Sequence, residues 1–451
     1  MVNESWLAKN HRWISVTGIA GILFIFALAV RFSIPYAEWN LDANNILRAV
    51  IYSDLHGVQA GGVSMRYWYQ DNLYQWWLGA FLPVKELASP VTATSLMQLL
   101  SVASLLPKIL GALNIALIFC FSVSLGADRT ASIIVSATYA ITAQHVVLSS
   151  IVERQVLSQT FLIVSFLIAS LASKDLGTRY MAYGLAIALN IFGVICYSPP
   201  VMFFPFLMLF ILSLELEKHT ASRDRIGAVL AILGLALSID SLLYFMTGAS
   251  ILSVMIGSMK FFVMYADPGS QDEFSKIDEG LVIANITWLF GHLFQWLPYY
   301  RTDNFAEISV WAAILSCVVV MYCFYCAITA ILPYKKHLDP GLFEFLGTSG
   351  ARLGILSAAF LIGIALNLVV RHGNQTEFYI MPYTFILPVV AERFSRHRSE
   401  SNVGLAVLCG ISLLVALTVN GNPFIGASFQ DRNSYIGQNA SAILPTMTSR
   451  P

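Results

Sequence analysis

The sequence predicts an all-α polytopic membrane protein of about eleven transmembrane helices, in a range of about ten to thirteen. Three observations carry that prediction. Of the 451 residues, 57% are hydrophobic and only 12% are charged. Soluble domains carry about a quarter charged residues, so a chain this apolar needs lipid as its solvent. Apolar runs long enough to cross a bilayer recur along the chain, which has a mean hydropathy of +0.69. The basic residues fall mostly in short connections between those runs, as the positive-inside rule requires.

The first run, Ile14 to Phe32, follows Lys9, His11 and Arg12. It is about 19 residues long, which suits an uncleaved spanning helix better than the about 7–15 of a signal peptide. Further runs lie near 106–125, 131–148, 156–173, 181–198, 199–215, 226–247, 308–332, 353–370, 376–392 and 403–420. Pro199 and Pro200 break one long stretch into a hairpin. The stretches 250–265 and 281–300 are interrupted by Lys260, His292, Gln295 and many aromatics. They read as helices lying at the membrane surface.

With the N-terminus cytoplasmic, the inside connections hold fourteen of the twenty-six Lys and Arg residues, among them Arg129, Arg179, Arg225, Lys335 and Arg393. The C-terminal tail after Asn420 is then outside. Three outside segments are long: 33–97, 248–307 and that tail. They carry half of the acids, together with aromatic clusters such as Tyr67-Trp68-Tyr69. Connectors need only a few residues, so loops of this length and character point to function. Residues 1–420 read as one membrane domain and 421–451 as a non-cytoplasmic tail.

The formal net charge is zero, which leaves no basic field for nucleic acid. All six cysteines fall in apolar segments. Cys323 and Cys326 form a CxxC, but mid-helix and without the second pair of a zinc site. They read as packing residues.

The densest chemistry lies beyond the first run. Glu38 and Asp42 precede a stretch in which Ile46, Leu47, Val50 and Ile51 recur at helical spacing. Asp42 stands at the helix start, where an acid serves as N-cap. It is also a carboxylate held at the membrane surface by a half-buried helix. Asp240 lies inside the seventh run, where a lone charge is costly. A place near the outer end of its helix, or a pairing with Lys108, would relieve that cost. His145 reads as a packed polar residue.

This pattern resembles the first outer loop of the GT-C superfamily of integral-membrane glycosyltransferases. The resemblance rests on an acid about ten residues past the first span, opening Asp42-x-x-x-x-x-Arg48-Ala49. Asp71 to Pro83 resembles the segment leading to that family's second span, with Asp71-Asn72 where many members have prolines. Tyr139 to Ser150, followed by Glu153-Arg154, resembles the third span, the short second outer loop and the start of the fourth span. Phe378 to Phe385 resembles a late span that carries Tyr and Pro.

The resemblance implies transfer of a sugar from a polyprenyl-phosphate donor to an acceptor hydroxyl on the non-cytoplasmic face, with inversion. It implies Asp42 as general base, with Glu38 second. It implies Arg154, Arg371 and Lys108 as cations for the donor phosphate, and Glu153, Arg48, Asp71, Tyr74 and His372 as substrate contacts. Some members use a divalent cation. Glu38 and Asp42 are candidate ligands, but the loop has no Asp-x-Asp pair, so no cofactor is assigned and a divalent cation stays an open alternative. The expected acceptor is a lipid-linked glycan such as O-antigen or another envelope polysaccharide, in a bacterial inner membrane with the site facing the periplasm. Two alternatives stay open: a polysaccharide polymerase, and a lipid or solute transporter or flippase.

Overall fold

The computed structural model describes residues 4–32, 77–83, 92–150, 152, 155–172, 175–196, 199–219, 222–247, 250–252, 283, 286, 289–290, 293, 310–332, 342–369 and 380–396. Among these residues the structure is helical, with no strand. The helices are α1 (Glu4–Phe32), α2 (Ala93–Ser124), α3 (Arg129–Ala140), α4 (Ala143–Leu148), α5 (Gln155–Ser170), α6 (Leu176–Cys196), α7 (Phe204–Leu216), α8 (Ser222–Thr247), α9 (Val310–Ile331), α10 (Leu342–Leu346), α11 (Ser349–Val369) and α12 (Ile380–Arg396). A 3₁₀ turn, Pro199–Phe203, leads into α7.

Among the described residues, five segments are long and apolar enough to cross a membrane: Ser15–Phe32, Gln98–Ser124, Arg223–Leu242, Ile314–Ile331 and Ser349–Leu368. Their outer faces match that medium. Along α9, Ile314, Val318, Met321, Tyr325 and Ile328 are exposed. They recur every three or four residues on one face. On α8, Leu230, Leu233, Leu237 and Phe245 do the same. So much ordered apolar exterior marks an integral membrane protein.

Where they fall on described residues, the predicted runs up to residue 392 are largely helical, with two changes. The 131–148 run is two helices rather than one. Thr142 donates its hydroxyl to Tyr139 O at 2.8 Å, and α3 stops at this turn. The second run begins earlier than its hydrophobicity suggests. Thr92 caps α2 by accepting from Ser95 N at 3.1 Å, while Thr92 N donates to Ser95 Oγ at 2.8 Å. Lys108 therefore sits about four turns along α2 rather than near its end. Gly126, at φ +95°, closes α2 in the left-handed conformation that favours glycine. The run at 403–420, the surface helices expected over 250–265 and 281–300 in all but a few residues, and the tail lie outside the described residues.

Close packing is set by small residues. A Cβ on Gly193 of α6 would lie 3.0 Å from Phe161 Cβ on α5. There Ser158 donates to Gly193 O at 2.8 Å. A Cβ on Gly363 of α11 would lie 2.8 Å from Pro382 Cγ on α12 and 3.0 Å from the Phe203 ring. Between these contacts sits an aromatic core, with Phe166 5.1 Å from Phe385 and 5.3 Å from Phe210 between ring centroids.

The helix termini gather at two ends of this bundle. At one end, Glu215 is fully buried and accepts from Arg179 at 2.8 Å, with His219 at 3.1 Å and Lys218 at 3.8 Å. Arg352 pairs with Glu217 at 2.7 Å and Arg225 with Glu344 at 3.9 Å. Arg396 pairs with Glu392, and Arg393 donates to Thr329 O. Arg179, Lys218, Arg225, Arg352, Arg393 and Arg396, six of the fourteen basic residues that the sequence assigned to inside connections, have these partners. At the other end lie the C-termini of α1 and α11 and the N-termini of α2, α5 and α12, and the polar groups there are of another kind.

Candidate active-site end of the bundle

Arg31, in the last turn of α1, has no exposed surface. Its Nε donates to Ser149 Oγ at 2.7 Å and its Nη1 to Ala27 O at 2.7 Å. Its Nη2 donates to His145 Nδ1 at 2.5 Å. A guanidinium only donates, so Nδ1 is the acceptor and the imidazole proton sits on Nε2. That Nε2–H points to Gln159 Oε1 at 3.2 Å. Gln159 Oε1 also accepts from Asn114 Nδ2 at 3.0 Å. The Gln159 amide nitrogen then donates towards Thr384 Oγ1 at 3.0 Å, Ile380 O at 3.2 Å and Tyr139 OH at 3.3 Å.

One chain of directed hydrogen bonds therefore ties α1, α2, α3, α4, α5 and α12 together. Each member is buried, and each sits in an otherwise apolar helix where an unpaired polar group would be expensive. Gly111 makes the arrangement possible, because a Cβ there would lie 2.2 Å from Ser149 Cβ and 2.8 Å from Arg31 Nε. Every acceptor that Arg31 meets among the described residues is neutral. A second cation lies close by: Lys108 is 5% exposed, and its Nζ sits 5.8 Å from the centroid of the Phe32 ring.

Beside this chain is a cavity of ≈ 60 Å³ between α3, α9 and α12. Its walls include Val135, Tyr139, Val319, Tyr322, Tyr383 and Phe394. It is nearly all apolar, with the Tyr139 ring 6.4 Å from that of Tyr383.

Of the residues expected to act, Lys108 alone falls within the described residues. Glu38, Asp42, Arg48, Asp71, Tyr74, Glu153, Arg154, Arg371 and His372 lie outside them. Asp240 does not pair with Lys108. Its Oδ1 accepts from Ile251 N at 2.6 Å, so it caps the segment that follows α8. His145 is a packed polar residue, as the sequence suggested. Cys323 and Cys326 are buried on α9. No cluster of three or more His, Cys, Asp or Glu that could hold a metal occurs among the described residues.

Sequence reasoning missed Arg31, Gln159 and Asn114. The available signal was their position within apolar runs, where polar side chains are costly unless they have work to do.

Comparisons with known proteins add little at the sequence level. No protein-family model matches the chain. No curated protein does either. Among solved structures, the Archaeoglobus fulgidus oligosaccharyltransferase in the apo form is similar over 93% of this chain and 56% of its own, at 13% identity and a TM-score of 0.49. The same enzyme tethered to an acceptor peptide containing the NVT sequon covers 93% and 55%, at 15% identity and a TM-score of 0.48. The chain thus spans just over half the length of these structures.

Proposed function

We propose that this protein transfers a sugar from a polyprenyl-phosphate donor to an acceptor hydroxyl at the polar end of the bundle, which faces the non-cytoplasmic side. The observation that carries the reading is the pair of buried cations, Arg31 and Lys108, beside the point where residues 33–76 leave α1. When the glycosidic bond breaks, negative charge grows on the lipid phosphate. Cations in a low-dielectric site stabilise that charge far more than they would in water. Lys108, Arg154 and Arg371 are assigned to the phosphate. Arg31 supplies positive potential from behind.

Asp42 is the general base. It takes the proton of the acceptor hydroxyl as the hydroxyl oxygen attacks the anomeric carbon and the phosphate departs. Glu38 is the second acid. Glu153, Arg48, Asp71, Tyr74 and His372 contact substrate. A lipid-linked glycan, such as an envelope polysaccharide precursor in a bacterial inner membrane, would present its hydroxyl at the same interface as the donor.

The test is Asp42→Asn in purified protein, assayed with polyprenyl-phosphate sugars and lipid-linked glycan acceptors. Loss of a general base lowers turnover by about 10²–10⁴-fold. Transfer by the variant at the wild-type rate would overturn the assignment.

A further inference from the structure

We infer that the Tyr139 hydroxyl is a ligand-contacting hydrogen-bond donor, and that the α3–α9–α12 cavity receives the oxygen-bearing end of an apolar chain. The Tyr139 oxygen accepts from Gln159 at 3.3 Å. Its own proton meets no acceptor among the described residues. Tyr139 is 3% exposed. In a membrane interior a buried donor left without a partner is costly.

Tyr139 also lines the cavity, whose other walls are mostly apolar. A ligand oxygen arriving there would give the Tyr139 proton an acceptor, while its hydrocarbon contacts Val135, Val319 and Phe394. The hydroxyl does not orient itself. Arg31 fixes the tautomer of His145, His145 fixes the amide of Gln159, and Gln159 thus turns its nitrogen to Tyr139 and offers the phenol proton no acceptor. Gln159 and His145 are therefore positioning residues and Tyr139 the contact.

The ligand chemistry is that of an amphipathic lipid with an oxygen head. Choosing an isoprenyl phosphate as probe rests on the donor proposed above. The experiment measures binding without turnover, using farnesyl phosphate and the oxygen-free hydrocarbon farnesane with the purified full chain in nanodiscs. Wild type should bind both. Tyr139→Phe should weaken farnesyl phosphate by about five- to tenfold, the loss of one hydrogen bond, and leave farnesane unchanged. Val135→Trp, which fills the cavity, should abolish both. Gln159→Met should weaken farnesyl phosphate alone, and combined with Tyr139→Phe it should add nothing further.

Unchanged binding by Val135→Trp overturns the cavity as the site. Unchanged farnesyl phosphate binding by Tyr139→Phe, with Val135→Trp still disruptive, overturns the role of the hydroxyl. Intact binding in a protein that transfers no sugar would sink the glycosyltransferase reading and leave the cavity assignment standing.

Discussion

The two ends of the helix bundle both bury charge, but they neutralise it differently. At the end carrying Glu215, three buried or half-buried bases face acids, Arg179 with Glu215, Arg352 with Glu217 and Arg225 with Glu344, while Arg393 donates to a backbone carbonyl. At the end carrying Arg31, the guanidinium is wholly buried and meets a hydroxyl, a carbonyl and an imidazole nitrogen. Paired charges hold helices together and leave little field outside the pair. A cation among neutral acceptors keeps its field, and that field is available to an anion arriving nearby. The first end therefore reads as structural and the second as the working end.

This contrast can be broken by mutation. The largest effect on stability is expected at the paired end. Glu215→Ala leaves Arg179 buried without its counter-charge, which costs about 3–5 kcal/mol. A lowered Tm in detergent would register it, with transfer per folded molecule unchanged. An unshifted Tm would mean that the pair contributes nothing. Gly111→Ala is next. Its added methyl has no room against Ser149 and Arg31, and overpacking of this kind costs about 1–3 kcal/mol. Transfer should fall by more than the stability loss explains.

Arg31→Met should be milder on stability than Glu215→Ala, because the partners it abandons are neutral, at about 1–2 kcal/mol. Its effect should instead appear in donor turnover. A Tm loss as large as that of Glu215→Ala, with turnover intact, would erase the distinction between the ends.

How much of this was legible beforehand follows from what each signal measures. Hydropathy records the length of an apolar run, so the long helices could be placed, while the short α10 was missed and α3 and α4 read as one. It does not record caps, and α2 starts at Ala93 because Thr92 and Ser95 close its first turn. Nor does it record a bend enforced by one hydroxyl, as at Thr142. Lys and Arg positions captured the paired end because the positive-inside rule counts them. Arg31 escaped because it stands at the margin of a run, where an arginine reads as reaching for water. Its burial depends on Gly111, some 80 residues away in sequence, and no local pattern encodes that contact. The candidate base and most phosphate ligands came from the resemblance and remain proposals.

The smallest expected effect sharpens the comparison from the paired end. Asp175 precedes α6 and accepts from Thr178 N at 3.1 Å and Thr178 Oγ1 at 2.9 Å. These bonds hold its carboxyl below the usual carboxylate range. A depressed folded-state pKa gives stability that is present above the unfolded value and is lost as pH falls through the folded one. Asp175→Asn should therefore flatten a slight acid-side decline of Tm and leave transfer unchanged. A wild-type decline that persists in the variant would assign the titration to another group.

The central claim is that the two ends face opposite sides of the membrane, with the Arg31 end non-cytoplasmic. Single cysteines at Ser53 and at Thr220, in a chain stripped of its six native cysteines, test it directly with an impermeant maleimide on right-side-out vesicles. Labelling of residue 53 in intact vesicles, and of residue 220 only after permeabilisation, is the predicted result. The reverse pattern would place Arg31 and Asp42 in the cytoplasm and contradict the account.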